Sequence, residues 1–380
     1  MLAIIWASTL LFCLIASLLN FYDLKFKLGP YNLLTRNNND FIYLFFSSLI
    51  FFVIFLLITS NRTGADIINY FNSYNYKHDI FGREIIYNTL KEFFFINGFT
   101  FFEFRAILTF FSGLLVFYTF LRFKVDIYFF ALLYMPMLLF MDSMQFRNSI
   151  SMCILIFASY ILITNNSKIS KTIFTFLIII SSQIHTVFLF YLSLLFFNTK
   201  FEKVITKLIA IVSLFIVIVT FANGNKPPFI ENILNLVLSG NDERLTRYLT
   251  SGNFGFLIPT FLHLYSLFLV VFLLQKIDFT RLPKINIDFL KLIMYTNLVS
   301  VAIIPLTMMN MNFYRMFRSC FLFSMIGIIS IIRSNSIDRK IKFEITLLVV
   351  ILTLLWIGFE TYNVTIPIWK PVFEGELFWK

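Results

Sequence analysis

Long apolar blocks separated by short polar breaks run along the whole chain. Leu2–Phe21 and Phe41–Thr59 each hold close to the ~20 apolar residues that cross a bilayer. Further blocks follow at Ala106–Leu121, Ile127–Met141, Asn148–Thr164, Thr172–Phe197, Leu208–Phe221, Phe256–Gln275, Phe289–Pro305, Met316–Ile332 and Ile345–Phe359. Thr172–Phe197 is too long for one ordinary span, and Gln183 and His185 interrupt it near its middle. It reads as a hairpin of two short helices, crossing twice or re-entering. The pattern therefore predicts an all-α, polytopic integral membrane protein of about twelve membrane helices. The first block starts at Met1 without a basic region and runs into Asn20-Phe21-Tyr22 without a small-residue cleavage site, so it reads as a retained helix.

Composition strengthens this picture. Of 380 residues, 59% are hydrophobic and only 13% charged, where soluble domains are about a quarter charged. Fifty-three phenylalanines beside abundant Ile, Asn and Lys fit an AT-rich codon usage. Codon usage does not explain the blocks. No linker, internal repeat or large soluble domain is visible, so residues 1–380 read as one transmembrane domain with external loops near 60–105 and 222–255. Cys13, Cys153 and Cys320 lie far apart in or beside apolar blocks, without metal spacing or a disulfide framework.

A net charge of +11 would suggest nucleic acid in a soluble protein. Here it sorts by side of the membrane instead. Lys25, Lys27 and Arg36, then Arg122 and Lys124, Lys168 and Lys171, Lys200, Lys203 and Lys207, Lys276, Arg281 and Lys284, and finally Arg333, Arg339, Lys340 and Lys342 fall on one side if the His185 block counts as a pair. By the positive-inside rule these are cytoplasmic loops, and both termini are expected outside. The opposite side is richer in arginine: Arg62, Arg83, Arg105, Arg147, Arg244, Arg247, Arg315 and Arg318. Arginine's planar fork suits phosphate and carboxylate. The plainer account is that these arginines pair with external acids such as Asp66, Glu84 and Glu103.

Five constellations carry candidate chemistry. The first is the loop 60–105, with Arg62, Gly64, Asp66 and Tyr70, then Glu84 and Tyr87. Asp66 and Tyr70 are four apart and share a helix face. The stretch from Gly82 to Leu90 has the spacing of an amphipathic helix at the interface. The tyrosines also fit the ordinary aromatic belt. The second is Gln145-Phe146-Arg147-Asn148, opening a span, where a helix N-terminus adds positive charge to Arg147. The third is Ser181-Ser182-Gln183-Ile184-His185-Thr186, because ionisable groups inside a membrane are costly and default to function. The fourth is the mixed-charge segment ending in Arg247-Tyr248. The fifth is Arg315 and Arg318, three apart on one helix face, which suit a pyrophosphate. No phosphate-binding Gly-rich loop, zinc motif or acidic metal cluster is present in the sequence, and no cofactor or metal is expected.

At these residues the chain resembles the EpsG/Wzy group of bacterial polysaccharide polymerases. Arg62, Gly64, Asp66 and Tyr70 match an early Arg…Gly-x-Asp…Tyr motif, and Glu84, Tyr87, Gly98 and Phe99 a following Glu-x-x-Tyr element with Gly-Phe. Arg147 matches an arginine opening the fifth span, although Asn148 stands where Gln is usual and Gln145 lies on the other side. His185 matches a hairpin histidine, Arg247-Tyr248 a Tyr-containing external segment, and Arg315, with Arg318, a late arginine. The resemblance implies transfer of a chain from undecaprenyl pyrophosphate to the next lipid-linked repeat unit, outside the inner membrane. It also implies a chain-length regulator as partner, beside membrane lipid and the lipid-linked oligosaccharide. Arg147, Arg315 and Arg318 are then candidates for the leaving pyrophosphate. Arg62, Tyr70, Gln145, Arg247 and Tyr248 are further substrate-binding candidates. Asp66, Glu84 and His185 are candidates for the base. A flippase for the same lipid, which would put charges at several depths and often shows two related halves, and a membrane O-acetyltransferase are the other readings. A ligase sharing the polymerase chemistry usually carries a larger late external loop.

Overall fold

A computed structural model describes residues 2–21, 38–62, 64–76, 84–136, 138–165, 167–224, 254–310, 313–332 and 337–364. No strand occurs among them. The helices are α1 (Leu2–Phe21), α2 (Asn38–Ser60), α3 (Ala65–Asn75), α4 (Ile85–Ile96), α5 (Phe101–Phe123), α6 (Ile127–Tyr134), α7 (Leu138–Met144), α8 (Phe146–Asn165) and α9 (Lys168–Ser182). After a 3-10 segment, Thr186–Phe196, come α10 (Glu202–Ala222), α11 (Leu257–Lys276), α12 (Lys284–Ser300), α13 (Ile304–Met309), α14 (Tyr314–Ile332) and α15 (Arg339–Val364).

Among the described residues, eight helices are long and apolar enough to cross a membrane, against the twelve or so that the apolar blocks predict. Two differences account for much of this. The block Ile127–Met141 is two helices, α6 and α7, bent by 70° at their junction. Pro136 lies there, lacking the N–H that would continue the ladder and disfavouring helix in the residue before it. Counted as one broken span, the pair makes nine. The His185 block is also broken, into the 15-residue α9 and the 11-residue 3-10 segment, each short of a full span. α1 is a further apolar helix, of 20 residues, that stands outside that count.

The helix ends follow from local sequence. Thr100 caps α5 with Glu103 returning the bond to the Thr100 N–H, a capping box. The Asp126 carboxylate accepts from the Tyr128 and Phe129 amides at the start of α6. The Ser167 hydroxyl accepts from Ser170 N at 3.1 Å to open α9.

The chain divides into two compact units. The first comprises residues 1–192, 278–289 and 326–380. In it the Trp6 indole donates to the Met135 carbonyl at 3.3 Å and the Tyr43 hydroxyl to the Val125 carbonyl at 3.1 Å, tying α1 and α2 to the α6 region. Gly113 lets α5 approach α2 so closely that a Cβ there would stand 2.8 Å from the Phe51 ring. Phe123 stacks on Phe289 at 4.0 Å. Serines 151 and 181 exchange reciprocal hydroxyl-to-carbonyl bonds of 3.1 Å, fixing α8 against α9. The second unit comprises 193–277 and 290–325. Its centre is a polar layer: His263 Nε2 lies 3.0 Å from the Asn297 carbonyl and its ring stacks on Phe317, while the Asn297 amide donates to Ser324 at 2.8 Å.

Candidate functional site

The site is built where four segments of the first unit converge. The first is α3, entered through Gly64, whose φ of +124° is open to glycine and costly for other residues. A Cβ at Gly64 would also meet the Met144 sulfur at 2.9 Å. This close approach starts α3 against the end of α7. Asp66 lies in the first turn of α3, and Tyr70, one turn later, is buried and packs edge-on against Phe146 at 4.8 Å.

The second segment is the start of α4. The first N–H groups of any helix lack partners within it. Here Gln183 supplies two: its side-chain oxygen accepts from Ile85 N at 3.3 Å and its carbonyl from Tyr87 N at 3.2 Å. Glu84, the residue before the helix, is thereby held against the α9 break. Its carboxylate accepts from Thr186 N at 3.1 Å and the Thr186 hydroxyl at 3.3 Å.

The third segment is the junction of α7 and α8. Gln145 is buried, and its carbonyl accepts from Ser149 N at 3.1 Å in the first turn of α8. Arg147, also buried, forms an ion pair through Nη1 with the second oxygen of Glu84. Its guanidinium carbon lies 5.1 Å from the centre of the Tyr70 ring and 5.0 Å from that of Tyr87. Two aromatic faces thus flank the cation.

The fourth segment is the break between α9 and the 3-10 helix. His185 Nδ1 lies 3.8 Å from Glu84 Oε1, and the imidazole is partly exposed. One carboxylate is therefore shared by an arginine, a backbone amide, a hydroxyl and a neighbouring imidazole. Burial raises the Glu84 carboxyl above its ordinary range, with Arg147 and Thr186 acting in the opposite direction. Burial also raises the Tyr87 phenol, so it stays protonated.

Of the residues singled out from sequence, Tyr70, Glu84, Arg147 and His185 come together, with Gln145 two positions before Arg147 along the chain. Arg62 lies with its guanidinium carbon 4.8 Å from the centre of the Phe102 ring. Arg315 and Arg318 belong to the second unit; Arg318 is 2% exposed and Arg315 partly exposed. Arg247 and Tyr248 lie outside the described residues. Three residues that sequence reasoning left without a role belong to the cluster: Tyr87 on Arg147, Gln183 as the cap of α4, and Thr186 on Glu84. Gln183 and Thr186 flank His185 in the same polar interruption, and that interruption was their signal.

Arg105 is a separate case. Its guanidinium donates to the Ile58, Asn61 and Ser143 carbonyls, and it is fully buried. It closes the carbonyl end of α2 and ties α5 to α7. No group of three or more metal-ligating side chains occurs among the described residues.

This arrangement can bind an anion edge at Arg147 and move a proton at His185, beside which the Glu84 carboxylate lies. A family model described as the EpsG family matches residues 43–373. No curated protein matches significantly, and no solved structure does.

Proposed function

The chain belongs to the EpsG family, and on that premise we propose that it is a polysaccharide polymerase, a membrane glycosyltransferase. The donor is a growing chain on undecaprenyl pyrophosphate, the acceptor a lipid-linked repeat unit, and the reaction face the outer side of the bacterial inner membrane. The observation that carries this reading is the buried Arg147–Glu84 pair with His185 beside it.

The chemistry is that of glycosyl transfer. The acceptor hydroxyl attacks the anomeric carbon, the bond to pyrophosphate breaks, and the hydroxyl proton must leave. We assign the proton to His185. The Glu84 carboxylate lies on the Nδ1 side of the ring, so Nε2 is the nitrogen we assign to the acceptor proton. A positioned base of this kind contributes roughly 10²–10⁴-fold. Arg147 stabilises the charge that develops on the departing pyrophosphate. Its position at the first turn of α8 adds the helix's partial positive charge to the same place. Tyr70 and Tyr87 hold the guanidinium plane. Arg315 and Arg318 remain pyrophosphate-binding candidates on their spacing, and Arg62, Gln145, Arg247 and Tyr248 substrate-binding candidates. Asp66 serves as the alternative base. No step in this scheme calls for a metal or a cofactor.

The test is deletion in the host bacterium with gel analysis of surface polysaccharide. Loss of the long-chain ladder with a single repeat remaining on the acceptor is expected. An unchanged ladder contradicts the reading. Loss of all repeats, the single one included, favours a flippase instead.

A further inference from the structure

The helix that carries Glu84 is amphipathic in the opposite sense to a surface helix. Glu84, Tyr87 and Lys91, spaced i, i+3 and i+7, form the inward face and are all buried. Lys91 donates to the Ser73 hydroxyl at 3.3 Å in the interior, and Glu84 pairs with Arg147. The outward face carries Ile85, Phe93 and Ile96, exposed by 69%, 58% and 80%. The buried polar groups Glu84 and Lys91 point into the protein, and the outward face is apolar apart from Thr89 and Glu92. In water this would leave a large apolar stripe uncovered.

One end of α4 is bonded to the α9 break, and the other leads into a membrane-crossing helix. Its first turn is bonded to Gln183 and Thr186 at the α9 break. Counted from Lys168, the 15 residues of α9 rise ~22 Å at 1.5 Å each, short of the ~30 Å hydrocarbon thickness. The break, with the first turn of α4 bonded to it, therefore follows a helix too short to cross the apolar layer alone. Its last turn leads through Asn97–Thr100 into α5, a spanning helix. Glu92 is exposed on the same side, between Phe95 and Ile85 around the helix, and a face of exposed apolar side chains with one carboxylate suits the headgroup boundary, where the carboxylate reaches water. Neighbouring α3 exposes Ile68 and Phe71 as well.

We propose that α4 is seated in the lipid: its outward face packs against acyl chains at the headgroup boundary, and its inward face is the wall of the Arg147–Glu84 cluster. One helix thickness then separates the cluster from the bilayer. A lipid-borne substrate would meet the cluster from the side, along α4. The seating itself does not depend on the polymerase reading.

The test uses the full chain in phosphatidylcholine vesicles, with Cys13, Cys153 and Cys320 replaced by Ala. A bimane probe is attached singly at Thr89→Cys, Phe93→Cys or Ile96→Cys. Leu214→Cys, on the exposed apolar side of spanning helix α10, is the benchmark. Doxyl-labelled lipid is expected to quench positions 93 and 96 at least half as strongly as 214, and aqueous iodide to quench them several-fold less than it quenches free probe. Strong iodide quenching overturns the proposal. So does protection from both quenchers, since that means protein covers the face, and disulfide-linked dimers through Ile96→Cys would identify a second copy as the cover. If the cysteine-free chain does not fold, benzoyl-phenylalanine at 93 and 96 in the otherwise unaltered protein answers the same question: lipid adducts support the seating, and adducts to protein alone overturn it.

Discussion

Arg105 and Arg147 are buried arginines with opposite tasks. All of the recorded acceptors of Arg105 are backbone carbonyls, on Ile58, Asn61 and Ser143. Arg105→Ala leaves these groups buried without donors, at roughly 1–3 kcal/mol each. We expect a sharp fall in folded protein and in the thermal midpoint of the detergent-solubilised chain. Arg147→Ala is expected to abolish chain extension, and Arg147→Lys to restore little of it, because an ammonium lacks the fork that joins Glu84 to an anion. Glu84→Gln is neutral yet still accepts from Thr186, so it should preserve the fold while lowering the rate roughly 10²-fold or more. The pH response has a definite sign. Burial raises the Glu84 carboxyl, so its anion forms only above the ordinary carboxylate range near ~4.3. Extension should therefore decline on acidification, beginning at a pH above that range. Protonation of Glu84 contributes to this loss, so Glu84→Gln should change the acid limb of the pH–rate profile, while protonation of the base His185 keeps a limb in the variant. An acid limb identical in Glu84→Gln and the unaltered chain would assign the titration elsewhere. Arg105 shows how a residue type can mislead: its partners are carbonyls 38 to 47 positions away, and nothing in the local sequence marks them.

At the scale of elements, two breaks do the positioning. Gly64 opens α3, and Gln183 ends α9 while capping α4. Gly64→Ala adds a methyl group 2.9 Å from the Met144 sulfur in a backbone conformation that costs L-residues roughly 1–3 kcal/mol. Combining it with Met144→Ala should recover the steric part of the loss in a stability measurement and leave the backbone part. Gln183→Ala removes one cap from α4, worth about 1 kcal/mol. It should loosen Glu84 and slow extension more than it lowers the thermal midpoint. These elements were partly legible beforehand. The amphipathic spacing after Gly82 announces a helix, and the polar interruption at Gln183–His185 announces a break. That the two bond to each other was not legible, because they lie 98 residues apart and the bonds involve backbone atoms. The break beside Pro136 was written in the sequence, yet apolar length alone hides it.

For the whole molecule, the apolar blocks predict the membrane class directly, since spanning length is a one-dimensional property of the chain. The number of spans is less direct: a block that looks continuous can be a broken pair, as 127–141 is, and the two arms of a block read as a hairpin can each fall short of a span, as those of 172–197 do. The cluster of Tyr70, Glu84, Arg147 and His185 draws on residues 115 positions apart, and family motifs rather than periodicity brought them under one heading. The most direct measurement is reconstitution. The purified chain in lipid vesicles receives one lipid-pyrophosphate-linked repeat unit as its sole sugar substrate, and products are resolved by size. The account predicts a ladder of longer lipid-linked chains with release of lipid pyrophosphate, present with the unaltered chain and absent with Arg147→Ala. Repeat units that cross the bilayer without growing longer, or a ladder that survives Arg147→Ala, would contradict it.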